Sequence, residues 1–234
     1  MTNNAIQIKV KQRLNKLDSR DYDNIECWQI MEAVNKAQIE WARRQCHGNN
    51  QKREGDESTK MLIDDLQPIL VEVPLTTTAA DKYHETEVIP DNYFYFKRIS
   101  ATSTTECCTS GRSLVIYLAQ AANVDELLVD VFKKPSAEWC ETFATAQSNR
   151  FRIYTNNDFD VTNVMLTYYR QPREIRFEGC VDINTGLPIA VDVECEFKDD
   201  VVEMIIDEAV SILAGDVELF NQFSRNKQNA TLTN

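Results

Sequence analysis

Two hydrophobic periods divide the chain. Near the N-terminus Ile6, Val10, Leu14 and Leu17 recur at steps of four and three, which stacks them along one side of a helix. After the polar stretch LDSRDYDN the helical spacing returns in Ile25, Trp28, Met31 and Val34, with Asp23 three residues ahead of Glu26 as a capping box. These two helices are expected to pack as an antiparallel hairpin, with Arg43 and Arg44 against the negative C-terminal end of the second. HGNNQKREGDEST has no large apolar residue, so residues 47–59 are expected to be an exposed, mobile loop, followed by a short helix at 61–66.

The period then becomes two. ILVEVPL (69–75), YHETEVI (83–89), YFYFKRIS (93–100) and SLVIYLA (113–119) alternate and are rich in β-branched and aromatic residues. A helical turn is expected at 124–128, then strands at 139–144, 150–155 and 161–170, with the Asn and Asp of TNNDFD turning the last two into a hairpin. Few segments between strands are long enough for a helical crossover, so the reading is an antiparallel meander and not a parallel α/β sheet.

The helical period closes the chain. DDVVEMIIDEAVSILAGDVELFNQF places Val202, Ile205, Ile206, Ala209, Ile212, Leu213, Val217 and Phe220 on one stripe, with Asp200 and Glu203 as a second capping box. The tail SRNKQNATLTN has one large apolar residue and is expected to order only on a partner. The expected fold class is α+β: a helical bundle of the N-terminal hairpin and the C-terminal helix, with an inserted antiparallel, barrel-like β domain. Its divisions are 1–66, 67–198, 199–223 and the flexible tail 224–234.

Charge narrows the partners. The chain carries -12 overall, and residues 177–220 hold 12 acidic against 1 basic residue. Such a protein does not clamp a DNA duplex by neutralising phosphates, because that needs a dominant basic face. No apolar run reaches a membrane span, and MTNNAIQIKVKQRLNKL has no signal-peptide core. Seven cysteines without a Cys-x-x-Cys pair are expected to be reduced thiols.

The candidate chemistry is thin. Glu194, Glu196, Asp199, Asp200, Glu203, Asp207 and Glu208 crowd carboxylates together, and Glu203 and Asp207 share a helical face at a spacing that suits a divalent cation. That face opposes the apolar stripe, so solvated carboxylates are the expected state. Cys46-His47 and Cys107-Cys108 are too few ligands for zinc. No nucleophile elbow, phosphate loop or dinucleotide fingerprint occurs, and only two histidines, His47 and His84, are available as bases. In LTYYRQPREIRF the two tyrosines point to opposite sheet faces, so Arg170, Arg173 and Arg176 with Tyr169 suit an interface better than a base-stacking platform.

The order of elements, with LTYYRQPREI closing the β region and VVEMIIDEAVSILAGD following it, resembles the head-to-tail connector (tail tubular protein A or adaptor) proteins of short-tailed bacteriophages. IECWQIMEAVNKAQIEW, KKPSAEWCETF and IYTNNDFDVTNVMLTYYRQP resemble the ring proteins of crAss-like phages more closely. The resemblance implies a non-enzymatic virion protein without cofactor or metal, twelve copies forming a ring below the portal protein and beside another tail ring, with genomic DNA passing through. It implies portal docking by the tail, with Arg225, Lys227, Gln228 and Leu232 as candidates, and subunit contacts at Arg170, Arg173, Arg176 and Tyr169. The alternatives are a β-rich host-surface or carbohydrate-binding module and, behind it, a metal-dependent hydrolase.

Overall fold

The computed structural model describes residues 1–14, 25–47, 64–105, 108–216 and 228. Of the loop expected at 47–59, His47 is helical and 48–59 lie outside these residues, as do the Asp23 cap, Leu17, Val217, Phe220 and the docking candidates Arg225, Lys227 and Leu232; Gln228 is described only as an exposed position. The protein is mixed α and β, dominated by one eight-stranded sheet, and divides into two compact units. Residues 69–171 form one. The described residues on either side form the other.

The β unit contains β1 (Leu70–Leu75), β2 (Thr77–Ala79), β3 (Tyr83–Thr86), β4 (Tyr93–Thr105), β5 (Cys108–Leu118), β6 (Glu141–Gln147), β7 (Arg150–Tyr154) and β8 (Asp160–Arg170). Their order in the sheet is β1-β8-β4-β5-β6-β7-β3-β2. The two edge strands are therefore consecutive in the chain, separated by Thr76 alone. One residue cannot cross a flat sheet of eight strands, so the sheet curls until its edges meet. Its enclosed face carries the core: Leu75, Ile99, Leu114, Ile116, Phe151, Ile153, Val161, Val164, Leu166 and Tyr168 are all buried.

Two expectations about the sheet fail. β5 and β6 pair in parallel, Val115 to Glu141 through Leu118 to Ala144, with α3 (Val124–Val129) in the connection. A crossover needs only about a dozen residues, and 119–140 supply enough without a long helix to announce it. The Asn turn also forms, with Asn156 and Asn157 at φ 49° and 61°, but β7 and β8 do not pair across it. β7 lies between β6 and β3, and β8 between β1 and β4.

The other unit is built from α1 (Asn3–Leu14), α2 (Cys27–His47) and α4 (Asp199–Asp216). Both N-terminal helices pack chiefly on α4 and only marginally on each other, so the expected hairpin is replaced by two helices sharing a third. α2 begins one turn later than its sequence signal: the Glu26 backbone N–H donates to Gln29 Oε1 at 3.0 Å, so the cap is Glu26 with Gln29. Its buried stripe is accordingly Ile30, Val34, Ala37 and Trp41. In α4 Asp200 lies within the first turn, where a carboxylate suits the helix dipole, and Glu203 is used elsewhere.

Residues 172–198, expected in the β domain, group with the helices. The reason is a set of amide side chains. Asn35 Nδ2 donates to the Ile175 carbonyl at 2.9 Å and its Oδ1 accepts the Ile175 N–H at 2.8 Å, while Gln38 Nε2 donates to the Arg173 carbonyl at 2.8 Å. α2 thus supplies the partners a strand would have provided. Asn3 donates to the Arg176 carbonyl at 2.9 Å, Phe197 packs edge-on against Trp41, and Cys27 is disulfide-bonded to Cys180. The bond corrects the expectation of reduced thiols for that pair; its partners are 153 residues apart and meet only through the fold.

Replacing Asn35 with Ala leaves the fully buried Ile175 without partners for both backbone groups. The expected cost is about 1–3 kcal/mol, read from the urea midpoint. An unchanged midpoint would show that this amide does not anchor the segment.

Candidate functional site

The arginines singled out by sequence separate into different settings. Tyr169 and Arg170 end β8 in the β unit; Arg173 and Arg176 follow Pro172 in the other. Tyr168 is buried and its hydroxyl donates to Asn92 Oδ1 at 2.8 Å, whereas Tyr169 is half-buried with Lys97 Nζ 5.9 Å from its ring centre. Arg173 pairs with Glu196 at 3.0 Å and Arg176 with Glu174 at 2.9 Å. Arg173 and Arg176 already hold carboxylates of this chain.

The acidic face of α4 is also occupied. Glu203 is bonded by Lys9 and Arg13, Asp207 by Arg13 at 2.8 Å, and Glu208 by Arg44 at 3.0 Å. Burial pushes the Glu203 carboxyl up, but the Lys9 ammonium and Arg13 guanidinium outweigh it and hold the group below its ordinary value. Against the expectation of solvated carboxylates, these three tie α1 and α2 to α4. Arg44 makes this contact from the last turn of α2. Among the described residues no three His, Cys, Asp or Glu side chains gather to hold a metal ion.

His84 is buried on β3, its Nε2 3.7 Å from Asp160 Oδ1. Burial lowers its pKa from the ordinary value, and the Asp160 charge only partly opposes this. Cys195 donates its thiol to Gln38 Oε1 at 3.4 Å, and burial pushes it away from the thiolate form a nucleophile needs.

A surface cleft lies at the β5–β6 connection. Val131, Phe132, Lys134, Pro135, Trp139 and Glu141 on one side, and Asn156 to Asp158 on the other, line an open cleft of about 980 Å³. Its walls are held by the backbone. Asp130 Oδ1 accepts the Phe132 N–H at 2.9 Å, Asp158 Oδ2 accepts the Ala137 N–H at 2.9 Å, and Ser136 and Glu141 bridge around Cys140, whose φ is 54°. The turn that results presents its aromatics to solvent: Phe132 is 92% and Trp139 76% exposed. Three carboxylates (Glu138, Glu141, Asp158) and one ammonium (Lys134) share the lining.

Sequence reading placed Trp139 in a strand, but β6 begins at Glu141. The available signal was the aperiodicity of VDVFKKPSAEW, where four large apolar residues fit neither a strand face nor a helix stripe.

No protein-family profile matches the chain. A similarity to the β subunit of phenylalanine–tRNA ligase from Streptococcus pneumoniae serotype 4 runs over 115 residues at 30% identity, covering 46% of this chain and 14% of that subunit. So small a share of the subunit carries no ligase chemistry to these residues.

Two measurements test the electrostatics. Glu203→Gln with Asp207→Asn should lower stability by about 1–2 kcal/mol and speed amide exchange in α1; unchanged exchange would mean the ion pairs do not hold that helix. Because folded His84 takes up its proton less readily than the unfolded chain, its contribution is complete above about pH 6.5 and is lost as pH falls below that. Acidification from about pH 7.5 to about pH 5.5 should lower Tm less in His84→Gln than in the parent. Equal losses would remove His84 from the account.

Proposed function

We propose that this chain is a structural subunit of a phage neck or tail, twelve copies of which form a ring between the portal and the next tail component, with DNA passing through the lumen. The observation that carries the reading is the interrupted unit. Both ends of the described chain, α1 and α2 before residue 69 and α4 after residue 171, belong to one unit, and the curled sheet is inserted between them. This is the arrangement the connector resemblance implies. In the ring, helices of neighbouring copies come together as the bundle.

Charge and surface support the same role. A protein with formal charge -12 repels a passing polyanion instead of holding it, which suits a conduit. Exposed Phe132 and Trp139 are residue types that interfaces use as anchors. Catalysis and cofactors have no part in the proposal; its residues act by pairing and packing. Tyr169 and Arg170 contribute to subunit contacts, while Arg173 and Arg176 do so only by exchanging the carboxylates they now hold. The tail, through Arg225, Lys227, Gln228 and Leu232, docks on the portal.

One observation favours a second reading, a carbohydrate-binding module of a virion. The cleft combines aromatic faces with amide and carboxylate groups, a set that suits sugar rings and hydroxyls.

The mass of the purified protein, alone and with its portal, separates the readings. Closed oligomers, or a portal-dependent ring, are expected. A chain that stays monomeric in both conditions overturns the connector reading. Deleting residues 224–234 should leave both units folded by circular dichroism and weaken portal binding; undiminished binding removes the tail from the docking assignment.

A further inference from the structure

We infer that the aromatic cleft of the β unit receives the outer face of the β4–β8 strand pair from a neighbouring copy of the same chain. The inference rests on the ring reading and names the contact that would build it. The cleft is an apolar seat with an acidic rim: Phe132, Val131 and Trp139 with Glu138, Glu141 and Asp158, against Lys134 alone. Aromatics this exposed cost solubility unless something covers them, and the carboxylates favour a cationic partner.

The complementary face lies on the same unit. In β8, Thr167 and Tyr169 are two apart and share a face, the one opposite Tyr168; Thr167 is itself buried there and Tyr169 half-buried. Lys97 sits over the Tyr169 ring, and Arg98 Nε donates to Thr167 Oγ1 at 3.4 Å, so both cations lie on that outer face. Consecutive residues of a strand ordinarily point to opposite faces. Here the pairing shifts register between Phe96 and Arg98, and both Lys97 and Arg98 are left exposed. Glu72 is the carboxylate beside them, 3.6 Å from Arg98.

The result is two cations and a tyrosine with one carboxylate, opposite in sign to the three carboxylates and one ammonium of the cleft. Two different patches of one chain that fit one another make a heterologous contact, which propagates from copy to copy and closes into a ring when the rotation permits. Guanidinium and ammonium groups on the β4–β8 face pair with Glu138 and Glu141, and the tyrosine surface covers Phe132 and Trp139.

A charge exchange tests this by sedimentation of the full chain. Phe132→Ser with Trp139→Ser, Lys97→Glu with Arg98→Glu, and Glu138→Lys with Glu141→Lys should each raise the dissociation constant of self-association at least about thirty-fold. All these side chains are at the surface, so circular dichroism and Tm should stay near the parent's. Combining the two charge reversals should restore association to within about threefold of the parent. If the parent forms rings and the reversals associate normally, or their combination gives no recovery, the contact is wrong and the ring reading stands. A parent that never associates, alone or with portal, removes both. A saturable fluorescence change with cellotriose, absent in Trp139→Ser, assigns the cleft to glycans and overturns the inference.

Discussion

The connection between β1 and β2 constrains the rest of the β unit. A single residue, Thr76, joins the two edges of an eight-stranded sheet, so the sheet has no choice but to roll. Rolling hides one face of most of the strands and nearly removes the unpaired edges through which β proteins aggregate. It also explains the core, because Ile99, Ile116, Phe151, Ile153 and Leu166 come from four different strands and meet only inside a curled sheet. The parallel step from β5 to β6 must then be made outside the roll. That is why the 119–140 connection, with its exposed aromatics, faces solvent.

The second unit is organised around α4, and the logic is different. α4 presents an apolar side and an acidic side, and both are used. Val202, Ile205, Ile206 and Ala209 are buried, while Glu203, Asp207 and Glu208 take up Lys9, Arg13 and Arg44 from the two earlier helices. Partly buried ion pairs of this kind contribute modestly to stability and more to register. They select which turn of α1 lies against which turn of α4. The amides of Asn35 and Gln38 act in the same way on Ile175 and Arg173.

Much of this was legible along the chain, and the illegible parts share a cause. α1, α2, α4 and most strands follow from local period, because burying a stripe or a face is a local requirement. The Asn156–Asn157 turn, with φ 49° and 61°, belongs to the same category. What local pattern could not supply was pairing. Which strand neighbours β7, whether β5 meets β6 in parallel, that Cys27 finds Cys180, and that Arg13 finds Glu203 are all decided by contacts distant in sequence. The candidate site divided along that line: Tyr169 was correctly turned away from Tyr168, but Arg173 and Arg176 were read without the glutamates they meet. The cleft was missed because its residues have no period at all.

The interrupted unit also bears on how the chain acquires its structure. Residues 69–171 are contiguous, so the rolled sheet has all its strands once β8 has left the ribosome. The helical unit does not. α1 and α2 are synthesised first, yet α4, the surface on which both are buried, comes after the entire sheet. Until then Ile6, Val10, Val34 and Trp41 have no permanent cover, and closing the loop between the two halves carries an entropic cost that a prefolded sheet, with its ends already fixed, reduces. Vectorial synthesis therefore leaves the first-made segments to be completed last.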